Sequence, residues 1–297
     1  MARVWTRRRF LAAGGVSLLA TGAGGLGLAR MVGADSEPAL GVIAIDEADP
    51  TATPQFFDAT ATVSPTATAT ATATPSPAPA PTPVPLAARP KWGADLLKQV
   101  ARSGPADRPL VALTIDDGWS ARDGVLKVLQ AKKVQPTFFL TGRALPGDYG
   151  FVARALNSGC EIANHTMDHY DLTSKTAAYI QKDIQDFEDL VKSVVTGATT
   201  QPFMRPSAGA FNQTVVDASA ALGYRLILWS ASSGDGSAST TPDQMVTNAL
   251  AGAKPGNIIL MHFSDRAVTA LPPLIDGLRA KGLEPVSLSK LFETTSG

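Results

Sequence analysis

The sequence predicts an α/β domain built on a parallel sheet, carried behind an export segment and a tether. Three observations lead there. Over residues 89–297, short apolar runs alternate with amphipathic stretches of helical period about seven times. The runs are almost continuously apolar, as strands buried on both faces are. A helical stretch follows each run, and such a crossover returns the chain in the same direction. A closed barrel and an open sheet both satisfy this pattern.

The elements follow in order. Leu110 to Ile115 is short, apolar and bounded by polar residues, hence a buried strand. Ser120 to Lys132 reads as a helix: Ser120 and Asp123 suit a capping box, and Val125, Leu126, Val128 and Leu129 supply an apolar face. Pro136 to Leu140 is a second strand, ended by Thr141 and Gly142. A helix over Tyr149 to Asn157 precedes a short strand, Cys160 to Ala163, in which Cys160 reads as a buried inert thiol. A helix over Ala177 to Val195 sets Ile180, Ile184, Phe187, Leu190 and Val191 on one side. Pro202 to Arg205 is short and extended. Gln213 to Leu222 is helical and stops at Gly223, a C-cap residue. Leu226 to Trp229 is a strand. Thr241 to Ala251 is a helix with Thr240 or Thr241 as cap and Pro242 early in it. Ile258 to Met261 is a strand, Val268 to Lys281 a helix ending at Gly282, and Pro285 to Ser287 a last strand with a short helix beyond it.

The N-terminal residues are of another kind. Residues 1–34 read as an export signal, a basic start followed by the uncharged stretch Phe10 to Ala29. Thr6-Arg7-Arg8-Arg9-Phe10-Leu11 is similar to the twin-arginine motif that an export receptor reads. Six glycines weaken the stretch as a membrane helix. It is nevertheless long enough to span, so an N-terminal membrane attachment is expected if the segment stays uncleaved. Val32-Gly33-Ala34 suits a cleavage site. Residues 35–88 read as a disordered Pro/Thr/Ala-rich linker: from Ser64 to Pro85 every residue but Val84 is Ser, Thr, Ala or Pro, too little apolar surface to offset the entropy of ordering. The chain is thus expected outside the cytoplasm, extracellular or held at the cell envelope.

Composition narrows the function. The 297 residues carry 26 Lys and Arg against 26 Asp and Glu, 21 and 20 of them within 89–297. No charge excess draws the chain to nucleic acid. One cysteine excludes an intramolecular disulfide framework. Nothing in the composition asks for a second copy, and a monomer is expected.

The chemistry-bearing residues gather after strands. Asp116 and Asp117, the three histidines of the chain (His165, His169 and His262) and Arg205 each follow a strand, where parallel α/β folds keep their working groups. Asp-Asp before a glycine also suits a plain turn, and a His four residues from another is often coincidence. An aspartate with two histidines nevertheless matches a three-ligand metal site with positions left for water. Zinc comes first, with cobalt, manganese or nickel compatible with the same donors.

Taken in order, Thr114-Ile-Asp-Asp-Gly118, Asn164-His-Thr-Met-Asp-His169, Arg205-Pro-Ser-Ala-Gly209, Trp229 to Asp235 and Leu260-Met-His262 resemble the five motifs of the NodB-type polysaccharide deacetylases, carbohydrate esterase family 4. The resemblance covers roughly 110 to 293. It implies a distorted (β/α)7 barrel of parallel strands and a metal-dependent hydrolase that removes acetyl groups from an N-acetylated glycan, peptidoglycan-like first and chitin-like second. By position, Asp116 resembles the catalytic base, Asp117, His165 and His169 the ligands of one divalent ion, and Arg205 the arginine paired with the base. His262 resembles the general acid, Asp235 the carboxylate that orients it, Leu260 the apolar wall of the acetyl pocket, and Ala208 the backbone donor to the oxyanion. Trp229 falls among the substrate contacts.

Two motifs depart from the family. Ser207 and Ala208 stand where Pro and Tyr are usual, and Ser232-Ser-Gly-Asp235-Gly236 lacks the first Asp and the groove Trp of the fourth motif. Trp119 offers an aromatic platform in their place. An O-acetyl esterase on a decorated polysaccharide, or a glycan-binding module with an impaired site, are the alternatives those departures keep open.

Overall fold

The structure, a computed structural model, describes residues 88–293. The export segment and the linker as far as residue 87 lie outside the described residues. No described helix is long and apolar enough to cross a membrane.

Eight strands form one sheet: β1 (Leu110–Asp117), β2 (Thr137–Leu140), β3 (Glu161–Asn164), β4 (Phe203–Met204), β5 (Arg225–Leu226), β6 (Ala231–Ser232), β7 (Ile258–His262) and β8 (Glu284–Val286). Their order is β5-β4-β3-β2-β1-β7-β6, and β8 pairs the first residues of β1. Every pairing is parallel. No ladder joins β5 to β6 among the described residues, so the sheet curls as a distorted (β/α) barrel left open at one seam. The helices are α1 (Ala94–Leu97), α2 (Arg122–Lys132), α3 (Gly150–Asn157), α4 (Ala177–Val194), α5 (Gln213–Ala221), α6 (Pro242–Gly252), α7 (Asp265–Ala280) and α8 (Leu288–Leu291).

The alternation of side chains along the strands explains why their sequence is almost wholly apolar. Val111, Leu113 and Ile115 of β1, Phe138 and Leu140 of β2 and Ile162 of β3 face the helices in the main core. Ala112, Phe139 and Ala163 belong to a second cluster with Phe203, Ile227, Ile258 and Leu288. Thr137 and Glu161 form a polar pair at the start of β2 and β3. Asp116 and Arg205 form another at the strands' carboxyl ends. Cys160 is buried, and that burial pushes its thiol up to about 12.

Three local expectations are corrected. The capping box at Ser120 does not form: Ala121 occupies the cap of α2 in the left-handed region (φ 54°) with no side-chain cap. The turn through Asp117 (φ 78°) and Gly118 (φ 99°) sets the path of the chain there. Of the strand expected over Leu226 to Trp229 only Leu226 lies in a strand, β5; Ile227 makes an isolated bridge to Ala101, and pairing resumes beyond Trp229 in β6. Helix α7 begins at Asp265, three residues early, because Ser264 caps it by accepting from the Ala267 N–H. The cap at Thr241 is present, with Gln244 completing a capping box.

Glu161 is 2% exposed and closes the foot of the barrel. Its carboxylate accepts from Thr137 Oγ1 (2.6 Å), from the Ser289 N–H (3.2 Å) and from Ser289 Oγ, tying β2, β3 and α8 together. Removing the acceptor leaves three donors without a partner, at about 1–3 kcal/mol for each one that stays buried. Glu161→Ala is therefore expected to lower the unfolding free energy by about 3 kcal/mol, with Glu161→Gln losing less. Urea denaturation reads the difference, and a loss below about 1 kcal/mol would contradict this role for the carboxylate.

Candidate active site

The site lies at the carboxyl ends of the strands, in a cleft of about 450 Å³. Asp116, Asp117, His165, His169, Ala208, Trp229, Leu260 and His262 line it, together with Gly209, Ser232, Gly234 and Gly236. Arg205 and Asp235 are buried directly behind their partners in that lining. Trp119 stands at the rim with its ring nearly perpendicular to that of His169 (84°), centroids 6.0 Å apart, and is 50% exposed. The eleven residues singled out from sequence therefore converge on one place.

Asp117, His165 and His169 offer one donor atom each, all within 4.8 Å of one another. The two Nε2 atoms face each other at 3.2 Å, and Asp117 Oδ1 lies 3.4 Å from the first and 3.1 Å from the second. Two imidazole nitrogens and a carboxylate aimed at one point are a set that fits a divalent ion. Asp117 Oδ1 is buried and makes no hydrogen bond, as a ligand atom would be left. His165 Nδ1 sits 2.6 Å from the Arg205 carbonyl oxygen. That carbonyl can only accept, so the proton is on Nδ1 and the Nε2 lone pair is free. Burial alone would raise the Asp117 pKa, but the two imidazoles beside it, His165 and His169, outweigh burial and hold it well below the usual carboxylate range.

The loop that carries the two histidines is strained and held from several sides. Thr166 has φ 68° and His169 φ 59°, costly for a β-branched residue in particular. Asn164 Oδ1 accepts from the Thr166 N–H and Thr166 Oγ1 from the His169 N–H. Asp183, reaching in from α4, accepts the Asp168 N–H at 2.8 Å, and its own carbonyl accepts the Met167 N–H.

Arg205 is fully buried, and burial works against its charge while Asp116 favours it. Its Nη1 donates to Asp116 Oδ1 (2.6 Å) and Thr114 Oγ1 (3.0 Å), its Nε to the Ile227 carbonyl and its Nη2 to the Leu228 carbonyl. The guanidinium lies over the Phe139 ring at 4.1 Å. Across the cleft, Asp235 accepts twice from His262, from the backbone N–H (2.7 Å) and from Nδ1 (2.9 Å). Burial disfavours the His262 imidazolium, yet the Asp235 hydrogen bond and the charges of Asp116, Asp235 and Asp117 outweigh it and push the pKa up to about 9. Gly209 (φ 65°) lets the third-motif turn pass under Trp229, because a Cβ there would stand 2.8 Å from the indole.

The family model for polysaccharide deacetylases matches residues 103–227. The chitooligosaccharide deacetylase of Sinorhizobium fredii is 31% identical over 204 residues, covering 63% of this chain and 94% of that one. The chain belongs to the NodB-type polysaccharide deacetylases, carbohydrate esterase family 4. The peptidoglycan-N-acetylmuramic acid deacetylase PdaA of Bacillus subtilis is 30% identical over 194 residues, 64% of this chain and 73% of that one. Its solved structure superposes with a TM-score of 0.61 at 29% identity over 65% of this chain and 85% of that one. A bifunctional xylanase/deacetylase from Pseudobutyrivibrio xylanivorans is 33% identical over 196 residues, 63% of this chain, which spans only 31% of that relative's length.

Three supporting residues of this deacetylase-family site escaped the sequence reading. Asp183 lies on the apolar side of its helix, between Ile180 and Phe187, and a buried acid in an apolar stripe was the available signal. Arg266 donates to the carbonyls of Asp235, Ser237, Ala238 and Thr240 and so clamps the glycine- and serine-rich loop that holds Asp235. A cation in the first turn of a helix opposes the macrodipole, which marked it as having another task. Thr114 stands at the head of the first motif, but its place in mid-strand gave no sign that it would accept from Arg205.

The His262 pair sets a pH dependence. The folded pKa lies above the ordinary value of about 6.5, so the stabilisation is complete below that pH and is lost as pH rises through about 9. In the metal-free protein the ring resonances of His262 are expected to titrate near about 9. Asp235→Asn should move the midpoint down toward 6.5, and zinc should also lower it by opposing the nearby carboxylates. A midpoint unmoved by Asp235→Asn would contradict the pairing.

Proposed function

We propose that the chain is a metal-dependent deacetylase that removes the N-acetyl group from an extracellular or cell-wall glycan. The observation that carries the reading is the convergence of the Asp117–His165–His169 donors with two opposed proton-handling pairs, Asp116–Arg205 and His262–Asp235, in one cleft. An impaired binding module would not need all three intact. The activities of the relatives support N-acetylated glycan as the substrate class.

Asp117, His165 and His169 would hold the ion, zinc being suited to two imidazoles and a carboxylate. Such an ion lowers the pKa of a bound water to about 7 and polarises an acetyl carbonyl. Arg205 fixes Asp116 through Oδ1, which leaves Oδ2 to take the proton of the water that attacks the carbonyl carbon. The Ala208 N–H serves the oxyanion that develops there. Leu260 and Trp229 form the walls against which the acetyl methyl group and the sugar pack. The carbon–nitrogen bond then breaks, and the departing sugar nitrogen takes a proton from His262, whose imidazolium Asp235 stabilises. Acetate leaves with the oxygen that came from water. The twin-arginine segment and the Pro/Thr/Ala linker set this activity beyond the cytoplasmic membrane, on a spacer that keeps the domain clear of its attachment.

The roles separate by substitution in the zinc-loaded full chain. Asp116→Asn is expected to lose nearly all acetate release while still binding one zinc. His262→Ala is expected to lose about 10²-fold or more on N-acetyl substrates and much less on an activated acetyl ester, whose leaving group needs no proton. Equal losses on amide and ester would contradict the acid role of His262, and normal turnover by Asp116→Asn would contradict the base.

A further inference from the structure

Leu96, Trp119, Tyr149 and Tyr170 are large apolar side chains left exposed among the described residues. The three aromatic ones sit on the loops after β1, β2 and β3; the first and third of these strand ends also carry Asp117 and the pair His165 and His169. The loops are joined to one another: Gly142 and Arg143 of the second donate their N–H groups to the carbonyls of Thr166 and Met167 in the third. Tyr170 directly follows His169, so their Cα atoms are about 3.8 Å apart. Tyr170 therefore leaves the chain directly beside a residue that lines the cleft.

Tyr170 is 46% exposed and carries two cations on its ring. Arg143 lies 5.4 Å and Lys175 5.2 Å from its centroid. Among the described residues neither cation makes an ion pair or a side-chain hydrogen bond to an acid. The acidic groups of the same loop are engaged elsewhere. Asp168 accepts from Tyr179 Oη, and Asp171 accepts from both the N–H and the hydroxyl of Thr173. Arg122 and Arg154, on the next stretch of the rim, are by contrast paired with Asp148. Two cations thus stand at an exposed aromatic ring beside a metal-type ligand, Lys175 lying between that ring and Tyr179 (5.0 Å), and neither is paired with an acid among the described residues.

We propose that Arg143, Tyr170 and Lys175 form a subsite for a carboxylate-bearing sugar, next along the glycan from the sugar whose acetyl group reaches the Asp117–His165–His169 cluster. The proposal rests on the deacetylase reading and names the polymer it favours: one in which acidic sugars adjoin N-acetylated ones. The phenol ring holds the two cations beside each other through its π system. The guanidinium fork takes the carboxylate in a directed pair and the ammonium adds charge without fixed geometry.

The test compares binding of the full chain to two oligosaccharides of equal length. One alternates N-acetylglucosamine with N-acetylmuramic acid, whose lactyl group carries a carboxylate; the other is neutral and contains N-acetylglucosamine alone. The wild type is expected to bind the acidic one about tenfold more tightly at low salt. Arg143→Gln with Lys175→Gln should remove that preference and leave the affinity for the neutral one unchanged, and 0.5 M salt should do the same to the wild type. No preference in the wild type, or an equal loss for both ligands in the double variant, overturns the proposal. Acetate release is followed in parallel: wild-type protein that prefers the acidic ligand but releases no acetate counts against the deacetylase reading alone. Wild-type protein that releases acetate without that preference counts against this subsite alone.

Discussion

One buried guanidinium organises the catalytic end of the barrel. Arg205 leaves β4 with its side chain fully enclosed, and it reaches β1 through Thr114 and Asp116 and the segment between β5 and β6 through the carbonyls of Ile227 and Leu228. Its own carbonyl accepts from His165 Nδ1. The residue that holds Asp116 thus also orients the first imidazole of the metal cluster, so the proton acceptor and the ligand set are positioned together. A buried charge is tolerated only when it is paired and its hydrogen bonds are made. Here that requirement fixes three strand ends relative to one another.

The rest of the site follows from where strain is placed. Asp117, Ala121, Thr166, His169 and Ala208 have positive φ, and all lie on turns at the strands' carboxyl ends; Lys133, at the end of α2, is the exception among non-glycine residues. These turns bend the chain sharply enough to point several side chains into one cleft. Asn164, Thr166 and Asp183 hold the turn through Thr166 and His169 by hydrogen bonds to its backbone, and Arg266 holds the Asp235 loop in the same way. The apolar layers beneath, with alternate strand residues facing the helices and the barrel interior, give those loops a rigid base. Strain and support are therefore separated along the strands, one at their ends and the other in their middles.

Much of this arrangement was legible in the chain. The alternation of apolar runs and helical stretches placed the strands, and the histidines and paired aspartates marked their carboxyl ends. What was not legible depended on partners distant in sequence. Ser120 looked like a helix cap, but the left-handed turn through Asp117 and Gly118 moved the start of α2 to Arg122. The run Leu226 to Trp229 has the composition of a strand, yet beyond Leu226 only an isolated bridge to Ala101 forms before β6 begins. Asp183 and Arg266 act on backbone groups of loops remote from their own positions in sequence, a relation no local pattern carries. The altered third and fourth motifs leave small residues, Ala208, Ser232, Gly234 and Gly236, lining the cleft. Exposed aromatic residues gather instead on the loops after β1, β2 and β3.

The central claim is that the Asp117–His165–His169 donors make hydrolysis depend on a divalent ion. It is tested most directly by stripping the full chain of metal, reloading it with one equivalent of zinc, cobalt or manganese, and following acetate release from N-acetylated oligosaccharides. The account predicts no release from the stripped protein, recovery with the added ion, and no recovery in His165→Ala. Release that persists unchanged without metal, or full recovery in His165→Ala, would contradict it.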